Sequence, residues 1–392
     1  MRSWLTYIFL LMVACGTVLT SCSDVLSEEG LGTCDDRAPV RLTISFGGED
    51  GPMSRDVGSN PAPKDDDLDE TTSEQAVIDN SDIYALVVGE DDKFLYRIKD
   101  LTVKDDPASD SYYTRTLEGT MLQTNGNVRI VLLANLIQNK IVVNGTALDS
   151  RANVEAYIDG IAEGTDVSTI YSNLIYNYDG TTTPWTLTGN NARRIPMWGQ
   201  SQLTTVPPTP GLSLDCYLYR AVAKVQIWVN QLAEEKGIEG FVINKIEVKN
   251  IHKKGYCVST ESYDENSLNY ANEAKPYAAP SVPNEPGTQT VTYGSDEDPL
   301  NVTDTYSDKI YIPERFNTDN DAVTIDVHYT FNGEAHTGTI EFKKDGIGNR
   351  FDVIRNHSYI FNIRSVAKEV DAKLIYKVQD YYVDAKVEIP FK

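Results

Sequence analysis

Val40-Arg41-Leu42-Thr43-Ile44-Ser45-Phe46 alternates without a break: Val40, Leu42, Ile44 and Phe46 are apolar, and Arg41, Thr43 and Ser45 point the other way. Period-two alternation over seven residues is the mark of a strand with one buried face. The next stretch of chain is unlike a core. Gly47 to Asn80 is rich in Gly, Pro, Asp, Glu and Ser, so this first strand is held on a tether, far in sequence from any partner. A strand held in that way is either kept by its own chain or replaced by one from another copy.

Outward from this stretch the same period recurs. Ile83 to Val88 and Lys93 to Ile98 flank the turn Gly89-Glu90-Asp91-Asp92 and predict a hairpin. Tyr112 to Leu117 and Asn127 to Leu136 predict further strands, the latter the most apolar of the first half. Asn153 to Ile161 is the one convincing helical pattern, with Val154, Tyr157, Ile158 and Ile161 on one side. The Pro-rich segment Thr205 to Gly211 reads as a domain boundary. Beyond it, Leu212 to Leu218, Ala221 to Val229 and Phe241 to Val248 alternate again. Ser259 to Asp304 is polar and reads as surface excursion. Strands then return at Lys309 to Ile312, Val323 to Phe331, Thr337 to Phe342, Ser358 to Ile363, Ala372 to Val378 and Asp384 to Phe391. Short strands bounded by turns, with almost no helix, define an all-β chain of two tandem β-sandwich domains. The expected division is 1–21 signal, 22–80 leader with the first strand, 81–211 first domain and 212–392 second domain.

Composition narrows function. A formal net charge of −23 repels phosphates and argues against nucleic acid as a partner. Arg2 followed by the apolar run Trp4 to Val18 reads as a signal segment, too short for a typical spanning helix. Leu19-Thr20-Ser21-Cys22 resembles a bacterial lipobox, in which the Cys22 thiol takes lipid and tethers the chain to the outer membrane. Cys216 and Cys257 lie in strand-like surroundings; in an oxidising compartment they either pair as a disulfide or stay buried as free thiols.

No catalytic constellation stands out in the sequence. His252, His328, His336 and His357 have no second ligand at zinc spacing, and neither HExxH nor CxxC occurs. The acidic run Asp65 to Glu70 lacks the spaced Gly and terminal Glu of a calcium loop and reads as solvated linker. The expectation is no enzyme, no metal and no cofactor. Carboxylate pairs for glycoside chemistry leave no trace that a sequence can carry.

The order of short motifs resembles the fimbrillins of Bacteroidales, the type V pilins. The carriers are the lipobox, the strand Leu42 to Phe46, Arg55, Leu86-Val87-Val88-Gly89-Glu90 and Leu133-Ala134-Asn135-Leu136. They continue with Ile195-Pro196-Met197-Trp198-Gly199, Tyr219 to Val225 and Arg355-Asn356-His357-Ser358-Tyr359. The acidic stretch after Cys22 resembles the export signal of Bacteroidetes surface lipoproteins. The resemblance implies transthyretin-like β-sandwich domains and a cell-surface fimbrium as the location. It also implies cleavage after an Arg, for which Arg55 is the first choice, and loss of the strand carrying Val40, Leu42, Ile44 and Phe46. A neighbouring subunit's C-terminal strand then fills the groove. Here that donor is drawn from the terminal alternation Val383, Ala385, Val387, Ile389 and Phe391, which equally reads as the last strand of its own domain. Tyr381 and Tyr382 stand where such a strand commonly carries Trp, so shaft, tip and anchor roles stay open. The implied partners are other fimbrial subunits and a host or bacterial surface receptor. The competing reading is a monomeric glycan-binding surface lipoprotein, for which Tyr171, Tyr176 and Tyr178 are candidate platforms.

Overall fold

The computed structural model describes residues 37–45, 80–104, 114–124, 126–178, 185, 193–206, 212–229, 240–258, 288–303, 305–306, 310–315, 322–342, 353, 355–366, 372–380 and 389–390. In chain order the first half carries β1 (Arg37–Ser45), β2 (Ile83–Gly89), β3 (Phe94–Ile98), β4 (Thr102–Lys104), β5 (Thr114–Leu122) and β6 (Asn127–Ala134). The short hairpin of β7 (Val142–Val143) and β8 (Thr146–Ala147) comes next, then helices α1 (Arg151–Asp159) and α2 (Val167–Asn173). β9 (Ile175–Asn177), β10 (Met197–Gln200), β11 (Thr204–Thr205) and β12 (Leu212–Arg220) complete it.

The second half holds β13 (Val222–Val229), β14 (Phe241–His252), β15 (Lys254–Tyr256), β16 (Thr288–Tyr293), β17 (Thr305–Tyr306) and β18 (Tyr311–Pro313). It ends with β19 (Thr324–Phe331), β20 (Glu334–Glu341), β21 (His357–Val366), β22 (Ala372–Asp380) and β23 (Ile389–Pro390). The architecture is all-β and of the β-sandwich type.

The first sheet runs β3-β2-β6-β10-β12-β1-β5-β4, with β11 beside β6. It folds back on itself, so that Ile83, Ala85, Val87, Ile130 and Leu132 from one end share a core with Val40, Leu117, Met121, Cys216 and Leu218 from the other. The two ends meet where the Leu122 amide donates to the Tyr96 hydroxyl at 2.8 Å and the Thr120 amide donates to Asp100 Oδ1 at 3.0 Å. On its other face Tyr84, Leu86, Val131, Leu133 and Trp198 belong to a second core, together with Val154 and Ile158 of α1 and Ile170 and Tyr171 of α2. Ser150 caps α1, its hydroxyl accepting from the Asn153 amide at 3.3 Å. The sequence pattern predicts this helix but not α2, whose seven residues are too few to display a period.

In the second half a six-stranded sheet (β17-β13-β21-β22-β23, with β18 beside β13) accompanies a four-stranded one (β16-β14-β19-β20). Val225, Ile227, Tyr359 and Phe361 join Ile246, Val248, Ile325 and Val327 in the second core. The Asn332-Gly333 turn that closes β19 onto β20 has φ of 51° and 84°, the left-handed pair that a two-residue hairpin requires.

Two expectations change on contact with these pairings. Ser259 to Asp304 is not all excursion: Thr288–Tyr293 pairs with β14 and buries Val291 and Tyr293. Thr, Gln and Tyr interleaved with a lone Val hide such a strand from a hydrophobic pattern. The strand Leu212–Arg220, expected to open the second half, instead pairs with β10 and β1 in the first sheet. The sheets change over at Ala221, beyond the Pro-rich segment.

Candidate functional site

The strand that the sequence singles out is an insert. β1 lies between β12 and β5, parallel to the first and antiparallel to the second. Val40, Leu42 and Ile44 stand in register with Leu212, Leu214 and Cys216 on one side and with Gly119, Leu117 and Arg115 on the other. Val40 is buried to 2% exposure in the core of the first sheet. The absence of a side chain at Gly119 leaves room there; a Cβ would come within 2.9 Å of Ile98 Cγ2. Hydrogen-bonding backbone on both flanks and an apolar floor make the slot a seat for an extended segment.

Of the predicted site residues the structure brings Val40, Leu42, Ile44 and Cys216 into this slot. Ile389 pairs with Tyr376 at the edge of the six-stranded sheet, in a strand of two residues. Cys22, Phe46, Arg55, Val383, Val387 and Phe391 lie outside the described residues. Sequence reasoning missed Leu117, Gly119 and Met121 as the far wall. Their alternation runs through a strand predicted to stop at Leu117, whereas the strand continues to Leu122.

Of the two readings open for Cys216 and Cys257, the structure has the buried free thiols. Cys216 faces the core beneath β1 and Cys257 belongs to the other core, so the two never meet. Burial pushes the Cys257 thiol pKa well up, which disfavours its reactive thiolate form.

Polar groups concentrate where the sheets change over. Arg355 donates from Nε to Glu314 Oε2 at 2.8 Å, makes a second contact from Nη2 to Glu314 Oε1, and donates to the Cys257 and Tyr256 carbonyls at 3.2 and 3.0 Å. Burial works against its charge, but the Glu314 carboxylate overrides that and raises its pKa. Beside it the Arg220 amide and Nη1 donate to Asn356 Oδ1 at 3.1 and 3.2 Å. Tyr176 Oη donates to the Ala221 carbonyl at 3.2 Å. Tyr176 itself is completely buried, with its pKa raised well above the ordinary value by that burial. Tyr171 and Tyr178 are buried too, and Tyr178 packs edge-on against Trp185 at 5.4 Å between centroids. The candidate glycan platforms are therefore core aromatics.

The outer face of the four-stranded sheet carries Lys249 against Asp326, with Thr339 donating to Asp326 Oδ1 at 2.7 Å and His328 Nε2 at 3.2 Å from Glu247. Among the described residues no group of three or more His, Cys, Asp or Glu side chains is placed to hold a metal ion.

This fold is one already known from solved structures. It is similar to the tip fimbrial protein Mfa3 from Porphyromonas gingivalis with C-terminal truncation: TM-score 0.50, 12% identity, 88% of this chain and 99% of that one. A fimbrial assembly protein from Parabacteroides distasonis also matches, at TM-score 0.47 and 14% identity over 90% and 98% of the two chains. The fimbrial anchor protein Mfa2 from Porphyromonas gingivalis matches at TM-score 0.31 and 8% identity over 91% and 100%. No family model and no curated protein matches the sequence.

Proposed function

We propose that the protein is a structural subunit of a surface fimbrium that polymerises by strand exchange and supports adhesion or biofilm formation. The chain is exported as a lipoprotein acylated at Cys22 and is then cut at Arg55. The segment ahead of the cut leaves with β1, and the C-terminal strand of the next subunit, drawn from Val383 to Phe391, enters the slot. The domain division belongs at the change of sheets near Ala221. The observation that carries this reading is the position of β1. It is an interior strand supplied from the N-terminal side, and its withdrawal leaves facing backbone edges on β12 and β5 with an apolar floor between them. An edge left open in that way is an aggregation hazard, which accounts for a temporary occupant before assembly. A likeness in fold to a fimbrial tip protein points the same way.

Mass spectrometry of the N-terminal residue in sheared surface material tests the proposal. A start at Asp56, in ladders of oligomers that boiling collapses, is the expected result. An acylated Cys22 with the leader retained on every copy, and no ladder, would overturn polymerisation by exchange and favour an anchor or a monomeric surface lipoprotein.

A further inference from the structure

The stretch Val40-Arg41-Leu42-Thr43-Ile44-Ser45-Phe46 recurs twice in conservative form. Ala223-Lys224-Val225-Gln226-Ile227-Trp228-Val229 is the first recurrence, and Ala385-Lys386-Val387-Glu388-Ile389-Pro390-Phe391 is the second. All three alternate from an apolar start, with a base next and Ile at the middle of the second half. The first two copies are seated alike. In chain order β1 opens the first sheet and β13 opens the six-stranded one. β1 lies between parallel β12 and antiparallel β5, and β13 lies between parallel β21 and antiparallel β17 and β18. The register agrees as well: Arg41 stands beside Ser213 on its parallel flank, and Lys224 stands beside Ser358. Leu42 beside Leu214 then corresponds to Val225 beside Tyr359, and Ile44 beside Cys216 corresponds to Ile227 beside Phe361. One pattern therefore takes one register in two separate seats.

Of the third copy the structure describes Ile389 and Pro390, which have β22 as their neighbour at the sheet edge. We propose that residues 385–391 are matched to the β1 slot of a second copy of this chain and enter it in the direction of β1, with Lys386 at the place of Arg41. The inference rests on the strand-exchange reading and adds to it the register and the chemistry that selects the occupant. Ala385, Val387 and Ile389 then take the places of Val40, Leu42 and Ile44, beside Leu212, Leu214 and Cys216. Lys386 comes opposite Glu118 of β5, where the register sets Arg41. Directly opposite residues of an antiparallel pair share a face, and opposite charges there favour the pairing. Glu118 is 48% exposed and its one ion-pair partner among the described residues, Lys104, is at 3.8 Å, so its carboxylate can receive a further base. Pro390, which has no amide donor, falls at Ser45, the last residue of β1. Glu388 falls at the place of Thr43, beside Asp215, the one unfavourable pairing in this register. A slip of one residue would turn the apolar face to solvent. A slip of two would carry Lys386 from Glu118 to Thr116 or Thr120.

Disulfide trapping tests the register. The full chain, opened by a sequence-specific protease at a site built into residues 53–56, is mixed with an excess of a synthetic peptide of residues 382–392 carrying Lys386→Cys. Glu118→Cys, at an exposed position, is the target; Thr116→Cys and Thr120→Cys report slips of two residues. Directly opposite Cα atoms lie about 4.5–5.5 Å apart, within reach of a disulfide, whereas diagonal ones lie about 7 Å apart or more. A peptide of residues 37–46 carrying Arg41→Cys shows that the slot has opened. Both peptides should join the Glu118→Cys chain at least about tenfold faster than either slipped position, with the linked residues identified by mass spectrometry. Glu388→Gln in the 382–392 peptide should raise its affinity about two- to fivefold by removing the charge beside Asp215. If the 37–46 peptide joins and the 382–392 peptide joins nowhere, or joins best at Thr116→Cys or Thr120→Cys, the inference is overturned while strand exchange by another segment or register stands. If neither peptide enters, β1 does not leave its slot, and the polymerisation reading falls together with the inference.

Discussion

The molecule has two apolar cores, and they are closed in different ways. The core inside the first sheet is built wholly from residues between Val40 and Leu218 and counts a residue of β1 among its members. The other core reaches from Tyr84 to Ile363, takes in both helices and both later sheets, and includes no described residue of β1. It is locked by a buried ion pair and the aromatic contacts of Trp185, which lies 5.7 Å from Tyr176 and 6.2 Å from Tyr311 between centroids. The lesson is one of containment. Withdrawal of β1 opens one core and leaves the other, which ties the halves together, intact.

The largest contrast should be chemical. Cleavage after Arg55 and removal of the leader should leave Cys216 open to iodoacetamide while Cys257 stays protected in the same sample, read by mass spectrometry of each thiol. Equal protection, or equal labelling, would break the distinction between the cores. Next, Glu314→Ala should cost about 3–5 kcal/mol in urea unfolding, because it leaves the buried Arg355 charge without a partner. Val40→Ala removes two buried methyl groups from the other core and should cost about 2 kcal/mol. The cost of Glu314→Ala should persist in a chain that has lost its leader.

Acid should act on both regions alike. In the first half hydrogen bonding from Arg97 holds the Asp159 carboxyl below its ordinary range. In the second, burial raises the Asp326 and Glu247 carboxyl pKa values, but Lys249 and Thr339 at the first and His328 and Lys245 at the second outweigh it and lower both. These groups are depressed in the folded state, so their contribution is complete above the unfolded values near 4 and is lost as pH falls through the folded ones. Thermal unfolding measured from pH 6 downward should therefore show its decline below about pH 4. The smallest effect belongs to Lys93–Asp166, with side chains 35% and 58% exposed. Removing it by Lys93→Ala should change stability by less than about 1 kcal/mol.

Much of this contrast was legible in the sequence, and what was hidden has physical reasons. The alternation of Val40 to Phe46 named the inserted strand, of which Val40 is buried in the core. Its partners were not legible, since parallel neighbours lie far apart in the chain and nothing local marks them. Leu212 to Leu218 announced a strand but not its sheet, in which it pairs with β1 and β10. The Arg355–Glu314 pair unites residues from distant segments and could not be anticipated from either. Whether Cys216 and Cys257 pair was left open by the sequence, because nothing in it shows that the two thiols belong to different cores.

The separation of β1 in sequence from the strands that flank it has a last consequence, concerning concentration. The connection spanning residues 46–82 joins β1 to the next strand, β2, which is not its neighbour in the sheet. That connection acts as a tether that holds the strand near its slot at an effective concentration on the order of millimolar. Once it is cut, β1 is an ordinary peptide ligand whose occupancy tracks its bulk concentration and falls on dilution. On the strand-exchange proposal, a second strand carried on an adjacent subunit would escape that dilution. The slot itself need not change in shape or affinity for its occupant to change; severing one covalent bond alters only which competing strand is present at the higher concentration.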